Sequence, residues 1–109
     1  MFAALKTGNR IVDGTPGADI VDELKPLSSE IVLTKTRVGS FSTTNLRTIL
    51  NAQGVNHIII FGVSTSGVVL STVRDAADMD YKITVISDAS ADRSEEAHKV
   101  LNGTQNAFT

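Results

Sequence analysis

A chain of 109 residues is long enough for one small domain with a hydrophobic core. Its hydrophobic content of 41% is ordinary for a globular protein, and no apolar run approaches the ~20 residues that a membrane span needs. The net charge of −2 argues against a nucleic-acid partner, and the absence of Cys excludes disulfides, thiolate metal sites and a cysteine nucleophile. No basic residue precedes the first apolar stretch, so we expect no secretory signal, no membrane partner and a cytoplasmic location.

The N-terminal third carries turn signals and short apolar groups. Residues 1–12 show no clear period, and the sequence Asp13-Gly14-Thr15-Pro16-Gly17 predicts a turn, because Pro fixes φ and Gly accepts positive φ. Residues 18–24 predict a short helix that ends before Pro26. The apolar group within residues 30–34 predicts a short strand.

The middle of the chain predicts a helix, a strand and a second helix. Ser42 or Thr43 is expected to cap the first helix, and Gly54 lies where a helix ends with positive φ. The continuous apolar run at residues 58–61 predicts a strand that is buried on both faces. From Val68 onward the apolar residues have the spacing of one helix face.

The C-terminal third predicts one more strand and one more helix. Residues 82–86 predict the strand and residues 87–91 a loop. Asp92 with Glu95 has the spacing of a capping box, which predicts a last helix before a frayed tail at residues 102–109. Strands and helices that alternate with short connections predict an α/β fold, with a parallel sheet and helices on its faces.

The junction between the buried strand and the next helix is the best candidate for a ligand site. A strand, a tight turn and a helix N-terminus together direct backbone N–H groups into a cleft at the edge of a parallel sheet. Thr65 and Ser66 are candidates for pocket residues there, although helix capping is the favoured role for both. As a nucleophile, Ser66 would need a base, and no His or Asp is assigned near it.

Several motifs in this order resemble those of the isochorismatase-like hydrolases, a superfamily of cysteine hydrolases that includes the nicotinamidases. The motifs are Gly14-Thr15-Pro16-Gly17-Ala18, Lys35-Thr36-Arg37-Val38-Gly39-Ser40-Phe41, Gly54 with residues 58–65, Arg74-Asp75-Ala76-Ala77 with Tyr81, Asp88-Ala89, and His98. The resemblance covers residues 13–101. It implies a partial domain there, with a three-layer αβα, Rossmann-like fold that is truncated and lacks its first two strands.

The resemblance also implies three catalytic side chains, namely an Asp general base, a supporting Lys and a Cys nucleophile. Lys35 stands at the Lys position, and Val63-Ser64 stands at a cis peptide bond that helps to form an oxyanion hole. Val68 stands at the Cys position and cannot act as a nucleophile, while the Asp lies on a strand that we expect this chain to lack. The binding candidates are Phe41, Ser64 and Thr65. No metal and no other cofactor is expected.

Several of these residues have plain structural alternatives. Lys35 is otherwise a solvated lysine after a strand, and Phe41 is more readily explained by packing over the sheet edge. Asp88 is a candidate for a cleft residue, although a turn aspartate is the favoured interpretation. His57 and His98 are far apart in sequence and have no third ligand at a metal-binding spacing, so they do not predict a metal site.

Three functions remain open. The first is a hydrolase relative that has lost catalysis and keeps a pocket for a small polar molecule near Lys35, Ser64 and Thr65. The second is an active hydrolase of small amides or enol ethers with a nucleophile other than Cys, which Val68 makes less favoured than the first. The third is a structural subunit that associates through an exposed sheet edge, as a homo-oligomer or with a missing partner segment.

Overall fold

A computed structural model describes Gly8 and residues 11–103 of the chain. The predictions made for residues 1–7, 9–10 and 104–109 lie outside the described residues. The chain divides into two compact units, Met1–Val32 and Leu33–Thr109.

The described part of the N-terminal unit consists of turns with one short helical segment. The backbone N–H and the hydroxyl of Thr15 both donate to the carbonyl of Val12, at 3.1 and 2.5 Å, which closes the turn predicted at residues 13–17. Asp22–Leu24 forms a three-residue 3₁₀ helix, which is shorter than the helix predicted over residues 18–24. The apolar side chains of this stretch are exposed, so no buried face supports a longer helix.

The strand predicted at residues 30–34 is not formed, and this prediction is wrong. Ile31 and Val32 have exposed fractions of 58% and 59%. The carboxylate of Glu30 accepts a hydrogen bond from the backbone N–H of Leu27 at 2.6 Å and closes a turn there. β-Branched residues favour extended backbone, but a strand also needs a hydrogen-bonded neighbour, and the described residues supply none at this place.

The C-terminal unit contains all the regular strands and α-helices of the described residues. In chain order they are α1 (Leu46–Ala52), β1 (His57–Val63), a π-helical turn (Thr65–Val69), α2 (Leu70–Asp78), β2 (Lys82–Ala91) and α3 (Glu95–Gly103). β1 and β2 pair in parallel, so the predicted α/β fold with a parallel sheet is confirmed. None of the helices in the described ranges is long and apolar enough to cross a membrane.

α1 starts two or three residues later than predicted, because its N-cap position is Asn45, whose side chain makes no capping hydrogen bond. Ser42 and Thr43 were expected to cap this helix, but the hydroxyl oxygen of Thr43 accepts from the backbone N–H of Thr36 at 3.0 Å. Thr44 supplies the acceptor instead, because its hydroxyl oxygen lies 3.2 Å from the backbone nitrogen of Leu46. A hydroxyl that is engaged by a distant loop cannot cap the helix next to it, which sequence spacing does not show.

The two strands pair at both ends, and residues 86–89 of β2 have no partner between the two paired stretches. The residue pairs at the two ends of the sheet are His57–Lys82 and Val63–Ala91. A bulge lies between Ile60 and Gly62, and Gly62 has a φ of 133°. The pairing resumes beyond the bulge, so residues 87–91 belong to β2 and the loop predicted there is wrong.

One face of the sheet is covered by the helical segment of residues 65–78. Val69, Val73 and Ala76 have exposed fractions of 1% or less, and their spacing places them on one side of that segment. Burial of each valine side chain contributes about 1.5–3 kcal/mol relative to full exposure. This is the apolar stripe that the sequence pattern predicts, and it holds the turn after β1 against the sheet.

In the part of the chain that the structure describes, nothing covers the opposite face of β1. Ile59, Phe61 and Val63 have exposed fractions of 59%, 57% and 72%. His57 shares this face with Thr84 of β2, because its Nε2 lies 2.9 Å from the hydroxyl oxygen of Thr84. The prediction that the strand is buried on both faces is therefore wrong. Within the described residues, β1 also pairs on one edge only, with β2.

Candidate functional site

The turn between β1 and α2 is the centre of the candidate site. The Val63–Ser64 peptide bond is cis, which is the isomer that the resemblance implies. The carbonyl of Ser64 accepts hydrogen bonds from the backbone N–H groups of Gly67 and Val69, at 3.3 and 3.1 Å. The chain therefore turns directly from the end of β1 into the helical segment, as the sequence predicts for residues 62–68.

Glycine at position 67 leaves room for the Ser64 side chain. A Cβ atom on Gly67 would lie 2.7 Å from the Ser64 hydroxyl oxygen and 3.9 Å from the Cγ1 atom of Val38. The first distance is too short for two non-bonded atoms, so a larger residue would displace the hydroxyl. The second distance shows that the segment of residues 35–41 passes beside the turn.

The same segment also packs along α2. The backbone N–H of Ser40 donates to the hydroxyl oxygen of Thr72 at 3.2 Å, and the Thr72 hydroxyl donates to the Ser40 hydroxyl at 3.0 Å. A Cβ atom on Gly39 would lie 2.9 Å from a carboxylate oxygen of Asp75 and 3.7 Å from the Cβ atom of Ser71. These contacts hold residues 39 and 40 against the middle of the helical segment, 32 residues further along the chain.

Thr65 is fully buried and is bonded to α3. Its hydroxyl oxygen lies 2.7 Å from Nδ1 of His98, and Asn102 donates from its side-chain nitrogen to the His98 carbonyl at 2.9 Å. The Asn102 nitrogen also lies 3.2 Å from Nδ1 of His98. The Thr65 hydroxyl has no exposed surface and already has a hydrogen-bond partner within the protein. The structure therefore favours a structural role for Thr65 over the predicted contact with a ligand.

Ser66 is exposed, and both of its donors are directed at one carboxylate oxygen. Its backbone N–H and its hydroxyl donate to Oδ2 of Asp92, at 2.6 and 2.7 Å. The sequence spacing predicts Asp92 as the cap of the last helix and places no acid near Ser66. That cap is Ser94, whose hydroxyl oxygen accepts from the backbone N–H of Ala97 at 3.1 Å.

These hydrogen bonds favour the ionised form of Asp92. The hydroxyl of Ser66, the backbone N–H of Ser66 and the backbone N–H of Ser94 lower the pKa of this carboxyl to about 2. Hydrogen bonds to a carboxylate favour its charged form, so Asp92 is ionised at neutral pH. A carboxylate with so low a pKa is a weak base and is poorly suited to activate the Ser66 hydroxyl.

Val68 occupies the position that the resemblance assigns to the nucleophile. Its side chain is half-buried and lies within the π-helical turn, next to the fully buried Val69. The position is therefore at the N-terminal end of a helical segment, where a thiolate would be stabilised. A valine side chain has neither a nucleophilic atom nor a hydrogen-bond donor, so this position offers only an apolar surface.

Lys35 is half-buried, and burial lowers the pKa of its amino group. The amino group donates to the backbone carbonyl of Arg37 at 2.9 Å. Within the described residues no hydrogen bond joins Lys35 to the turn at residues 63–68. The packing of its neighbours Val38 and Gly39 against the helical segment brings the motif near the turn, while its catalytic role stays a prediction.

Phe41 packs in the interior of the C-terminal unit. Its exposed fraction is 7%, and its ring is stacked on Tyr81 with a centroid distance of 6.2 Å and an interplanar angle of 22°. The Tyr81 hydroxyl donates to the side-chain oxygen of Asn51 at 3.0 Å, which fixes the second ring. The structure thus favours the packing interpretation of Phe41 over the predicted contact with a ligand.

The described residues offer no metal site in this region or elsewhere: they contain no group of three or more His, Asp or Glu side chains placed to hold an ion. His57 lies at the start of β1, and the contact of His98 in α3 is with Thr65. The turn therefore provides a polar surface with one exposed hydroxyl, one carboxylate and the apolar side chain of Val68.

Comparison with known proteins gives the relatives of this chain. It is 39% identical, over 90 residues, to a probable inactive nicotinamidase of Arabidopsis thaliana, a match that covers 81% of this chain and 46% of the relative. It is 37% identical, over 83 residues, to a ureidoacrylate amidohydrolase of Caulobacter segnis, which covers 76% of this chain and 35% of the relative.

The fold has a close counterpart among solved structures. An isochorismatase-like hydrolase from Alkaliphilus metalliredigens superposes with a TM-score of 0.79 and 36% identity, over 83% of this chain and 50% of that one. The chain thus spans between 35% and 50% of the length of these three proteins. The isochorismatase domain profile matches residues 1–106. With nearly its whole length matched by that profile, the chain belongs to the isochorismatase family.

Proposed function

We propose that this chain is an isochorismatase-like domain that binds small polar molecules and does not hydrolyse them by the cysteine mechanism. The observation that carries this proposal is Val68, an apolar side chain at the nucleophile position in the turn that follows the cis Val63–Ser64 bond. In this proposal the turn serves binding, because Val68 cannot supply a reacting group. A probable inactive nicotinamidase is among the relatives, which is consistent with this combination.

The relatives suggest the class of ligand. One is named for the hydrolysis of ureidoacrylate at an amide bond, and another carries the name of a nicotinamidase. A small amide presents a carbonyl acceptor and an N–H donor, and we propose that the first meets the amino group of Lys35 and the second the carboxylate of Asp92. Small uncharged carboxamides are therefore the ligands that we expect this domain to bind.

An active hydrolase with a serine nucleophile is less well supported. Ser66 is exposed and has Asp92 at hydrogen-bonding distance, so the pair has the geometry of a nucleophile beside a base. The pKa of Asp92 is about 2, however, and a general base works best when its pKa is near the operating pH. The same carboxylate also holds the Ser66 backbone N–H, which is a structural function.

Thermal unfolding in the presence of a panel of small carboxamides tests the proposal. A ligand at ~100 times its Kd adds about 2.7 kcal/mol to the free energy of unfolding, so binding raises the melting temperature. We expect this shift for the wild-type chain, a smaller shift for Lys35→Ala, and an unchanged shift for the control Lys99→Ala, whose amino group pairs with Glu95 on the exposed side of α3. The absence of any shift across the panel would contradict the binding proposal.

A further inference from the structure

His98 of α3 contacts the buried part of the turn after β1. Its ring is half-buried, and its Nδ1 lies 2.7 Å from the hydroxyl oxygen of Thr65, which has no exposed surface. The side-chain nitrogen of Asn102 lies 3.2 Å from the same Nδ1 and donates to the His98 carbonyl at 2.9 Å. The ring nitrogen therefore lies between a hydroxyl of the turn and an amide of its own helix.

These contacts determine the tautomer of His98. A carbonyl oxygen can only accept, so the Asn102 atom that meets the His98 carbonyl is the nitrogen of the side-chain amide. That nitrogen carries only donors, so an N–H at Nδ1 would face another donor at 3.2 Å. Nδ1 is therefore the bare, accepting nitrogen, the Thr65 hydroxyl donates to it, and the ring proton lies on Nε2.

We propose that His98 is a positioning residue for the ligand and that it acts through Thr65. The next residue is Ser66, whose backbone N–H and hydroxyl hold the carboxylate of Asp92. The inference rests on the proposed function, in which that carboxylate meets the N–H group of a small carboxamide. The part of His98 is to supply a hydrogen-bond acceptor at one defined place behind the turn.

Two attachments fix the turn more closely than one. Thr65 and Ser66 are adjacent, and their partners lie in α3 and just before it, as His98 and Asp92. One hydrogen bond leaves the turn free to swivel about it, whereas bonds from adjacent residues to two separate points prevent that rotation. A buried hydroxyl that loses its acceptor is also costly, so without His98 the Thr65 side chain would move toward another acceptor and displace Ser66.

Nitrogen NMR of the ring tests the tautomer without any ligand. At neutral pH we expect the signal of a bare nitrogen at Nδ1 and that of a protonated nitrogen at Nε2. Thr65→Val removes the hydroxyl donor and should shift the Nδ1 signal of His98, whereas the ring signals of His57, which contacts another residue, should not move. A proton on Nδ1 in the wild-type chain would overturn the proposal, as would an Nδ1 signal that Thr65→Val leaves in place.

Amide hydrogen exchange tests whether the effect of His98 is local, again without a ligand. In His98→Leu we expect the amides of Gly67 and Val69, which donate to the Ser64 carbonyl, to exchange at least ~10-fold faster relative to wild type. The amide of Ile49, which donates to a carbonyl before α1, should change far less. An equal acceleration at all three amides would show that His98 supports the whole fold, and it would overturn the proposal.

Ligand affinity tests the positioning itself. His98→Leu removes the acceptor, while His98→Asn keeps an amide oxygen near the place of Nδ1 and is the conservative rescue. For a carboxamide that binds the wild-type chain, His98→Leu should raise the Kd ~10-fold, about the value of one hydrogen bond, and His98→Asn should stay within ~3-fold. Val73→Ala is the control, because this buried core residue takes no part in these hydrogen bonds, and it should lower stability without changing the Kd.

The outcomes separate this inference from the proposed function. A Kd that His98→Leu leaves unchanged overturns the positioning role, as do equal effects of His98→Leu and His98→Asn, or of His98→Leu and Val73→Ala. If no carboxamide binds the wild-type chain, the proposed function fails and the positioning role fails with it. The nitrogen signals and the exchange rates then still decide whether His98 holds the turn through Thr65.

Discussion

The carboxylate of Asp92 accepts two hydrogen bonds from Ser66, one from the backbone N–H and one from the hydroxyl. The two residues are 26 positions apart, so this contact ties the segment before α3 to the turn after β1. Together with the bond between Thr65 and His98, it fixes the turn from the side of α3. The turn at the centre of the candidate site is thus held by residues that the sequence did not assign to it.

The first prediction is that Asp92→Asn destabilises the chain in a pH-dependent way. The pKa of Asp92 is lowered from 3.8 to about 2 in the folded chain, so its stabilising effect is complete above pH 3.8 and is lost as the pH falls to about 2. Urea unfolding between ~pH 7 and ~pH 2 measures this effect. The free energy of unfolding should be higher for wild type than for the variant at neutral pH, and the two values should converge in acid.

Asp88→Asn is the control for the loss of one negative charge, because Asp88 is exposed on β2. This variant should follow the wild-type curve. If the difference in the free energy of unfolding between wild type and Asp92→Asn stayed the same down to ~pH 2, the hydrogen bonds of Ser66 would not depend on the charge of Asp92.

The second prediction concerns the buried hydroxyl of Thr65. Thr65→Val keeps the shape of the side chain and removes the shorter of the two contacts of His98 Nδ1, so we expect a loss of about 1–3 kcal/mol in the free energy of unfolding. Thr48→Val on the exposed side of α1 is the control and should change it by less than about 0.5 kcal/mol. Equal stabilities of the two variants in urea unfolding would show that the Thr65–His98 bond contributes nothing.

The third prediction concerns the core under the sheet. Val73→Ala removes two methyl groups from a site with an exposed fraction of 1%, and it should lower the free energy of unfolding by about 1.5–3 kcal/mol. The same substitution at Val100, which is 56% exposed, should cost less than about 0.5 kcal/mol. Similar losses at the two sites would mean that the helical segment does not form the covering layer of the sheet.

The fourth prediction concerns the position of the missing nucleophile. A cysteine introduced as Val68→Cys lies near the start of a helical segment, so its thiol pKa should fall below the ordinary value of about 8.5. The rate of reaction with a disulfide reagent, followed against pH, gives this pKa. Val100→Cys near the end of α3 is the control and should titrate at or above the ordinary value. Identical titrations would show that the turn does not favour an anion at position 68.

The sequence pattern predicts the parts of the fold that depend on neighbours in the chain. The apolar run before Gly62 and the helical spacing after Val68 predict β1, the turn and α2, and Gly54 with its φ of 67° lies just beyond α1 as predicted. Residues 30–34 have an equally good strand pattern and form no strand, because a strand needs a paired neighbour.

The candidate site is less predictable, because its contacts join residues that are far apart in the sequence. The spacing of Asp92 and Glu95 matches a helix cap, yet the carboxylate of Asp92 holds Ser66, which is distant in sequence. The sequence motifs alone make Thr65 and Phe41 candidates for contact with a ligand. In the folded chain the Thr65 hydroxyl is hydrogen-bonded to His98 and the Phe41 ring is stacked on Tyr81. Side-chain partners across the fold leave no local signal in a single sequence.

The most direct test of the central claim is product formation from a panel of small amides, followed by NMR over many hours with the wild-type chain. The proposal predicts no hydrolysis above the rate without protein, because Val68 has no nucleophilic atom and Asp92 is too weak a base for Ser66. Hydrolysis that is clearly above that rate and is lost in Ser66→Ala would contradict the claim and identify an active hydrolase with a serine nucleophile.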